Sequence, residues 1–373
     1  MLLQNTTAYL NHSFHAGTDL RIAQGHIREV GTQLSALPGE SCVDCGGDFI
    51  IPGFVDVHIH AFRGNDAMQG EAAVRTMARE LRREGVAAFC PTTMSASEEA
   101  TRLAMAGIRQ ARLHAEAEEA LIPGAHMEAP FLSVKKAGAQ RKEFFLDPSW
   151  EAFERMTDGH PGEARLMTMA PEREGSEAFI RRVTSLGTVI SIGHTAAPAE
   201  LVHAAGDWGA NHITHTFNAQ TALNHREPGV PGAGLTDDRF FAEMICDGIH
   251  LHRDTVRLIV KAKGPDKAVA ITDAMEAAGM PDGEYALGGQ KVFVRDGAAR
   301  LADGTLAGSV LLMRTALQNL IRLFGVPAED AVCMCTEAPA NSIHESLLGR
   351  ILPGAPAPVT RWTPGWDYVS ALG

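Results

Sequence analysis

The stretch FIIPGFVDVHIH, residues Phe49–His60, decides how the rest of the chain is read. Apolar β-forming residues lead into a Pro52-Gly53 turn, and a second apolar run ends on two histidines separated by one residue. Alternate side chains of a strand share a face, so His58 and His60 project together and can share one cation. An HxH pair is equally well two hydrogen-bonded strand histidines. Its meaning depends on whether the same pattern recurs.

It does recur. Further short apolar runs follow: Gly85–Thr93, Ala120–Glu128, Ala164–Glu172, Gly187–Thr195, Ala210–Thr216, Phe241–Gly248 and Lys267–Ala274. Between them lie longer amphipathic segments. Glu71–Arg83 repeats Val74, Met77 and Leu81 at helical spacing, Ser97–Glu119 is Ala-rich and charged, and Ser309–Leu323 is expected as the last barrel helix, with Ala328–Leu347 after it. Strand–helix alternation predicts a parallel sheet, and eight strands predict a closed (β/α)8, TIM-like barrel of the α/β class. The first fifty residues and the Pro/Gly-rich tail read as short strands and turns. The expected organisation is a barrel over residues 53–346, with residues 1–52 and 347–373 forming one small β-sandwich-like domain.

In such a barrel the carboxyl ends of the strands meet at one rim, where barrel enzymes keep their active sites. Here Glu128, His194, His215 and Asp273 each close an apolar run, as His58 and His60 do. Inward-pointing ionisable groups would carry a large desolvation cost unless an ion compensated it. These six residues are therefore candidate metal ligands and catalytic groups. His126 and His212, two and three positions before a candidate ligand, are expected beneath the site.

Composition narrows the function classes. With 33 basic and 45 acidic residues the net charge is -12, and no Lys/Arg block interrupts the chain, which argues against a nucleic-acid partner. An anionic substrate must be held by a few local cations or a metal. Neither a basic leader with an apolar stretch nor a run of 18 apolar residues occurs, so a cytoplasmic chain with no membrane partner is expected. The six cysteines fit thiols in a reducing compartment.

Taken in order, PGFVDVHIH, HMEAPF (His126–Phe131), SIGHT (Ser191–Thr195), HTFNA (His215–Ala219), REPG (Arg226–Gly229), CDGIH (Cys246–His250), ITDA (Ile271–Ala274) and LAGS (Leu306–Ser309) resemble the N-acetylglucosamine-6-phosphate deacetylase family of the amidohydrolase superfamily, over nearly the whole chain. The resemblance implies hydrolytic removal of acetate from N-acetyl-D-glucosamine 6-phosphate to give D-glucosamine 6-phosphate, by metal-activated water, in amino-sugar catabolism. N-acetylgalactosamine 6-phosphate and non-phosphorylated amides are the alternative substrates. It further implies that Glu128, His194 and His215 bind the principal divalent metal, that His58 and His60 hold a second, and that Asp273 is the general base and acid. Zinc is the first expectation, and iron, manganese or cobalt also suit such ligands, with one or two ions per subunit.

Implied substrate contacts are Ala139, Gln140, Asn218, Ala219, Arg226, the turn Asp247, Gly248, Ile249 and His250, and the stretch Leu306, Ala307 and Gly308. Arg226 would hold the phosphate and reach into a neighbouring subunit's site, which implies a homodimer. The chain departs from the family pattern at Ala129, where many members carry Gly, and at Gln140, where several carry a His that polarises the scissile carbonyl. Gln can donate a hydrogen bond there but carries no charge. The tail lacks the family's acidic final strand, so that end of the β unit is expected to be abbreviated.

Overall fold

The computed structural model describes residues 1–373. Eight parallel strands follow one another around a barrel: β1 (Phe54–Ile59), β2 (Val86–Thr93), β3 (Ala125–Met127), β4 (Ala164–Met169), β5 (Val189–Ile192), β6 (His212–Ile213), β7 (Phe241–Ile245) and β8 (Ala268–Ile271). Each pairs in parallel with the next. Closure comes just past the strand ends. Ile59 bridges Ala274, and the Asp273 N–H donates to the His58 carbonyl at 2.8 Å. Every residue of β2 is buried, as expected for parallel strands covered on both faces.

Helices pack around the strands. Glu71–Arg83 forms as expected and buries Val74, Met77, Ala78 and Leu81. The next helix, Glu98–Leu113, starts on a Ser97 cap but stops short of the expected Glu119. Beyond Leu113 the chain folds back, and the Glu119 carboxylate becomes buried as an acceptor for Arg75 and Arg79. Ser309 is held extended rather than helical, because its N–H donates to the Asp273 carbonyl. The last barrel helix therefore starts at Met313, and after Gln318 it widens into a π turn over Asn319–Leu323. The segment expected as one helix from Ala328 is two, Ala328–Cys335 and Glu337–Ser342, broken at Thr336, whose φ and ψ are -134° and -78°.

The terminal strands join one seven-stranded sheet, in which Val359–Trp362 runs antiparallel to Phe49–Pro52. The tail is not abbreviated, for Tyr368–Leu372 adds a further strand. The sheet buries its own apolar cluster, including Leu3, Leu20, Ile27, Ile50 and Val359. Gly53 carries the chain from this sheet into β1. A Cβ there would lie 2.5 Å from the Pro358 carbonyl oxygen and 2.7 Å from the Ala87 methyl, so only glycine fits.

Between β8 and the last barrel helix lies an element that sequence reading did not anticipate, an antiparallel sheet of Gly283–Leu287, Gln290–Arg295 and Ala298–Arg300. Its apolar side packs Leu287, Val292 and Val294 against Met94, Met275 and Ala307. Leu287 of this sheet and the neighbouring Leu306 both line the cavity at the barrel rim.

Candidate metal and active site

Six ionisable side chains from five strand ends converge at the rim, all of them nearly or fully buried: His58, His60, Glu128, His194, His215 and Asp273. Glu128 sits among the imidazoles. Its Oε1 lies 3.0 Å from His194 Nε2, 3.2 Å from His215 Nε2 and 3.5 Å from His58 Nε2, while Oε2 lies 3.2 Å from His60 Nε2. Asp273 Oδ1 completes the ring, 3.2 Å from His60 Nε2 and 3.6 Å from His58 Nε2. Two groups of three donors result, Glu128–His194–His215 and His58–His60–Asp273, each with its donor atoms within 4.8 Å of one another.

The backbone helps to aim these groups. His194, His215 and Asp273 have φ of 45°, 25° and 50°, in or near the left-handed region that costs a non-glycine residue about 1 kcal/mol or more. Strain of this kind persists where the surrounding structure over-determines it, and here it falls on three of the six convergent residues. Gly193 allows the close fit behind His194, because a Cβ there would sit 2.5 Å from Thr214 Cβ.

Ring orientation gives a test of whether a cation fits. His60 Nδ1 faces the Thr92 carbonyl at 3.2 Å and His194 Nδ1 the Lys136 carbonyl at 2.9 Å, so both must donate there. His58 Nδ1 faces Glu243 Oε2 at 3.0 Å. In a neutral imidazole a proton on Nδ1 leaves Nε2 as a bare lone pair. These lone pairs point at carboxylate oxygens, and the Nε2 atoms of His194 and His215 face each other at 3.1 Å. His58 Nε2 is buried with no hydrogen-bond partner. Lone pairs crowded on one another repel unless protons or cations lie between them, so the donor set fits a divalent metal.

The electrostatics agree. Burial opposes charge on His58, yet the carboxylates of Glu243, Asp273 and Glu128 outweigh it and raise its pKa to about 9. His60 and His215 are raised in the same way, against burial, by Glu128 and Asp273. Glu128 is held well below the usual carboxylate range, burial notwithstanding, by His58, His194 and His215. Asp273 is lowered against burial by His58 and His60. Beneath the ring, burial pushes His126 well down and His212 down to about 4, which fits neutral supporting residues. The His126 and His58 rings pack edge to face, with centroids 4.5 Å apart.

The site opens into a cavity of about 230 Å³. Of the residues expected to touch substrate, Ala139, Gln140, Asn218, Ala219, His250, Leu306 and Gly308 line it. Asp247 does not line it but caps the turn, its carboxylate accepting from the Ile249 and His250 N–H groups and from the His250 ring. Gly248 belongs to that turn, Ile249 is exposed beside it, and Ala307 is buried in the apolar cluster with Met275 and Leu287. Gln140 Oε1 accepts the Ser95 N–H at 2.8 Å, which turns its amide nitrogen onto Glu128 Oε2. Arg226 is exposed and lines a separate surface groove with Asn224, Glu227 and Pro228, outside the cavity of its own chain. Sequence reading missed Glu243, Thr92, Met94 and Leu287. For Glu243 the available signal was an acid inside the apolar strand FAEMI.

The amidohydrolase family model matches residues 49–370. The chain belongs to the amidohydrolase family. Within that family it is similar to the N-acetylglucosamine-6-phosphate deacetylase of Bacillus subtilis (strain 168), 37% identical over 329 residues that cover 86% of this chain and 82% of the relative. It is also similar to the N-acetylgalactosamine-6-phosphate deacetylase of Escherichia coli O157:H7, 34% identical over 342 residues, 91% of this chain and 89% of the relative. Among solved amidohydrolase structures, a mutant N-acetyl-D-glucosamine-6-phosphate deacetylase from Mycobacterium smegmatis in complex with N-acetyl-D-glucosamine-6-phosphate superposes with a TM-score of 0.91 at 30% identity, covering 100% of this chain and 97% of that one. This amidohydrolase has no helix long and apolar enough to cross a membrane.

Proposed function

We propose that this amidohydrolase removes the acetyl group of an N-acetyl amino-sugar 6-phosphate, with N-acetyl-D-glucosamine 6-phosphate as substrate and acetate and D-glucosamine 6-phosphate as products. The observation that carries this reading is the convergence of Glu128, His194 and His215 on one point, with Asp273 beside them at the floor of the cavity. Its chemistry suits amide hydrolysis. Glu128, His194 and His215 would hold a divalent cation, which would supply Lewis acidity toward water and the acetamide carbonyl. His58 and His60 would hold a second ion, and zinc is the metal best suited to this His/carboxylate set.

The proton is carried by the chain itself. Asp273, ionised because the neighbouring histidines lower its pKa, takes a proton from the attacking water on a carboxylate oxygen. As the carbonyl carbon gains the water oxygen and the C–N bond breaks, the same oxygen returns that proton to the leaving amine. Gln140, its carbonyl end fixed by Ser95, holds its amide nitrogen on Glu128 Oε2, and an N–H released from there would donate to the acetamide oxygen without adding charge. His250, held by Asp247, orients a sugar hydroxyl.

The exposed position of Arg226 supports phosphate capture in the cavity of a second copy, and hence a homodimer, since within its own chain Arg226 forms no ion pair and does not line the cavity. The terminal sheet, with its own apolar cluster, supports reading residues 1–52 and 347–373 as one small β-sandwich-like domain beside a barrel of 53–346. A second substrate reading, the galacto epimer, rests on the Escherichia coli relative, 34% identical over 91% of this chain. A deacetylation assay on the two epimeric 6-phosphates and on unphosphorylated N-acetylglucosamine decides among them. We expect turnover of the gluco 6-phosphate and loss of about 10²–10⁴-fold in kcat for Asp273→Asn with its metal content kept. Full activity of that variant would remove Asp273 from the role.

A further inference from the structure

Glu243 lies in the middle of β7, fully buried inside the barrel, in a layer that such barrels normally fill with branched apolar side chains. No Lys or Arg pairs with it. Its Oε2 accepts from two different elements at once, from the His58 ring at 3.0 Å and from the backbone N–H of His215 at 2.9 Å. Oε1 is buried without a hydrogen-bond partner and lies 3.5 Å from His212 Nδ1. A buried carboxylate with no cation beside it is strongly disfavoured, so a positive charge has to reach it through one of these imidazoles.

The geometry shows which one. His58 gives its Nδ1 side to Glu243 and aims its unpartnered Nε2 at Glu128 and Asp273. A carboxylate that accepts the outer N–H of a ligating histidine fixes its tautomer and makes its inner nitrogen a stronger donor. The same oxygen also pins His215 at its unusual φ of 25°. From these contacts we infer that Glu243 is the positioning residue that builds the second ion position, and that it decides whether this chain holds two ions or one. The inference rests on the reading that Glu128, His194 and His215 hold the first ion.

Glu243→Gln keeps the side chain's shape and one carbonyl oxygen able to accept both bonds, and replaces the charged carboxylate by a neutral amide whose other end is an NH2. Zinc is titrated into the metal-free full-length protein against a chromophoric chelator, with bound ions counted by emission spectrometry and folding checked by circular dichroism. The wild-type chain should take up two ions. In Glu243→Gln the first should bind as before and the second about 10–100-fold more weakly. Two ions bound as in wild type, or equal loss of both from a folded variant, would overturn the inference. Should the variant fail to fold, ¹⁵N NMR of the zinc-loaded wild type still decides, because a proton on His58 Nδ1 supports the assignment and one on Nε2 overturns it. A wild-type chain that takes up one ion and still deacetylates the sugar sinks this inference alone. One that takes up none sinks the metal reading with it.

Discussion

Raising the pH of the metal-free protein from 7 to 8.5 should lower its stability, and the size of the effect follows from His58. Its pKa is about 9 in the folded chain against 6.5 for the free side chain, because Glu243, Asp273 and Glu128 surround it. A group whose folded pKa is raised contributes stability that is fully present below the unfolded value and is lost as pH rises through the folded one. Across this window the loss is about 2 kcal/mol, at about 1.4 kcal/mol for each pH unit of separation. His60 and His215, raised for the same reason, act in the same direction. Over these 373 residues, at roughly 2 cal/mol/K of unfolding entropy each, that is a fall of about 2–3 °C in melting temperature. Differential scanning calorimetry in a chelating buffer reads it directly. Zinc-loaded protein should show no such fall, because the cation takes the place of the protons on these rings. A melting temperature of the metal-free chain that is flat or rising over the window refutes the reasoning.

Other substitutions test separate parts of the account. Arg226→Ala should raise KM for the phosphorylated sugar by about 10-fold or more, the worth of a charged hydrogen bond, and leave KM for the unphosphorylated sugar unchanged; an unchanged KM for the phosphate would detach Arg226 from the site. Gly193→Ala places a methyl 2.5 Å from Thr214 Cβ and 2.9 Å from Thr168 Cγ2. It should cost about 1–3 kcal/mol of stability and weaken zinc binding by shifting His194, whereas wild-type melting and zinc affinity would show that the fit behind His194 is loose.

How much of this was legible in the sequence depends on what each feature requires. The barrel was, because its parallel strands are buried on both faces and read as uninterrupted apolar runs, and the six convergent residues stood out as ionisable groups at the ends of those runs. Glu243 was not singled out, because it lies within a run and its importance comes from contacts 28 and 185 residues away in sequence. The left-handed φ of His194, His215 and Asp273 was invisible for a related reason, since tertiary closure imposes it on residues with no preference for it. The sheet of residues 283–300 leaves a signal only in QKVFVR, which alternates as a half-buried strand should. Gln140 stands out in the sequence, but the Ser95 N–H that sets the direction of its amide is a backbone group, which no side-chain pattern reveals.

The central claim is that strand closure gathers Glu128, His194 and His215 around a cation. Anomalous diffraction at the zinc edge from crystals of the zinc-loaded protein tests it most directly. The account predicts a strong peak within about 2.0–2.2 Å of a Glu128 carboxylate oxygen and of Nε2 of His194 and His215. Fully loaded crystals with no peak among these three residues would contradict it.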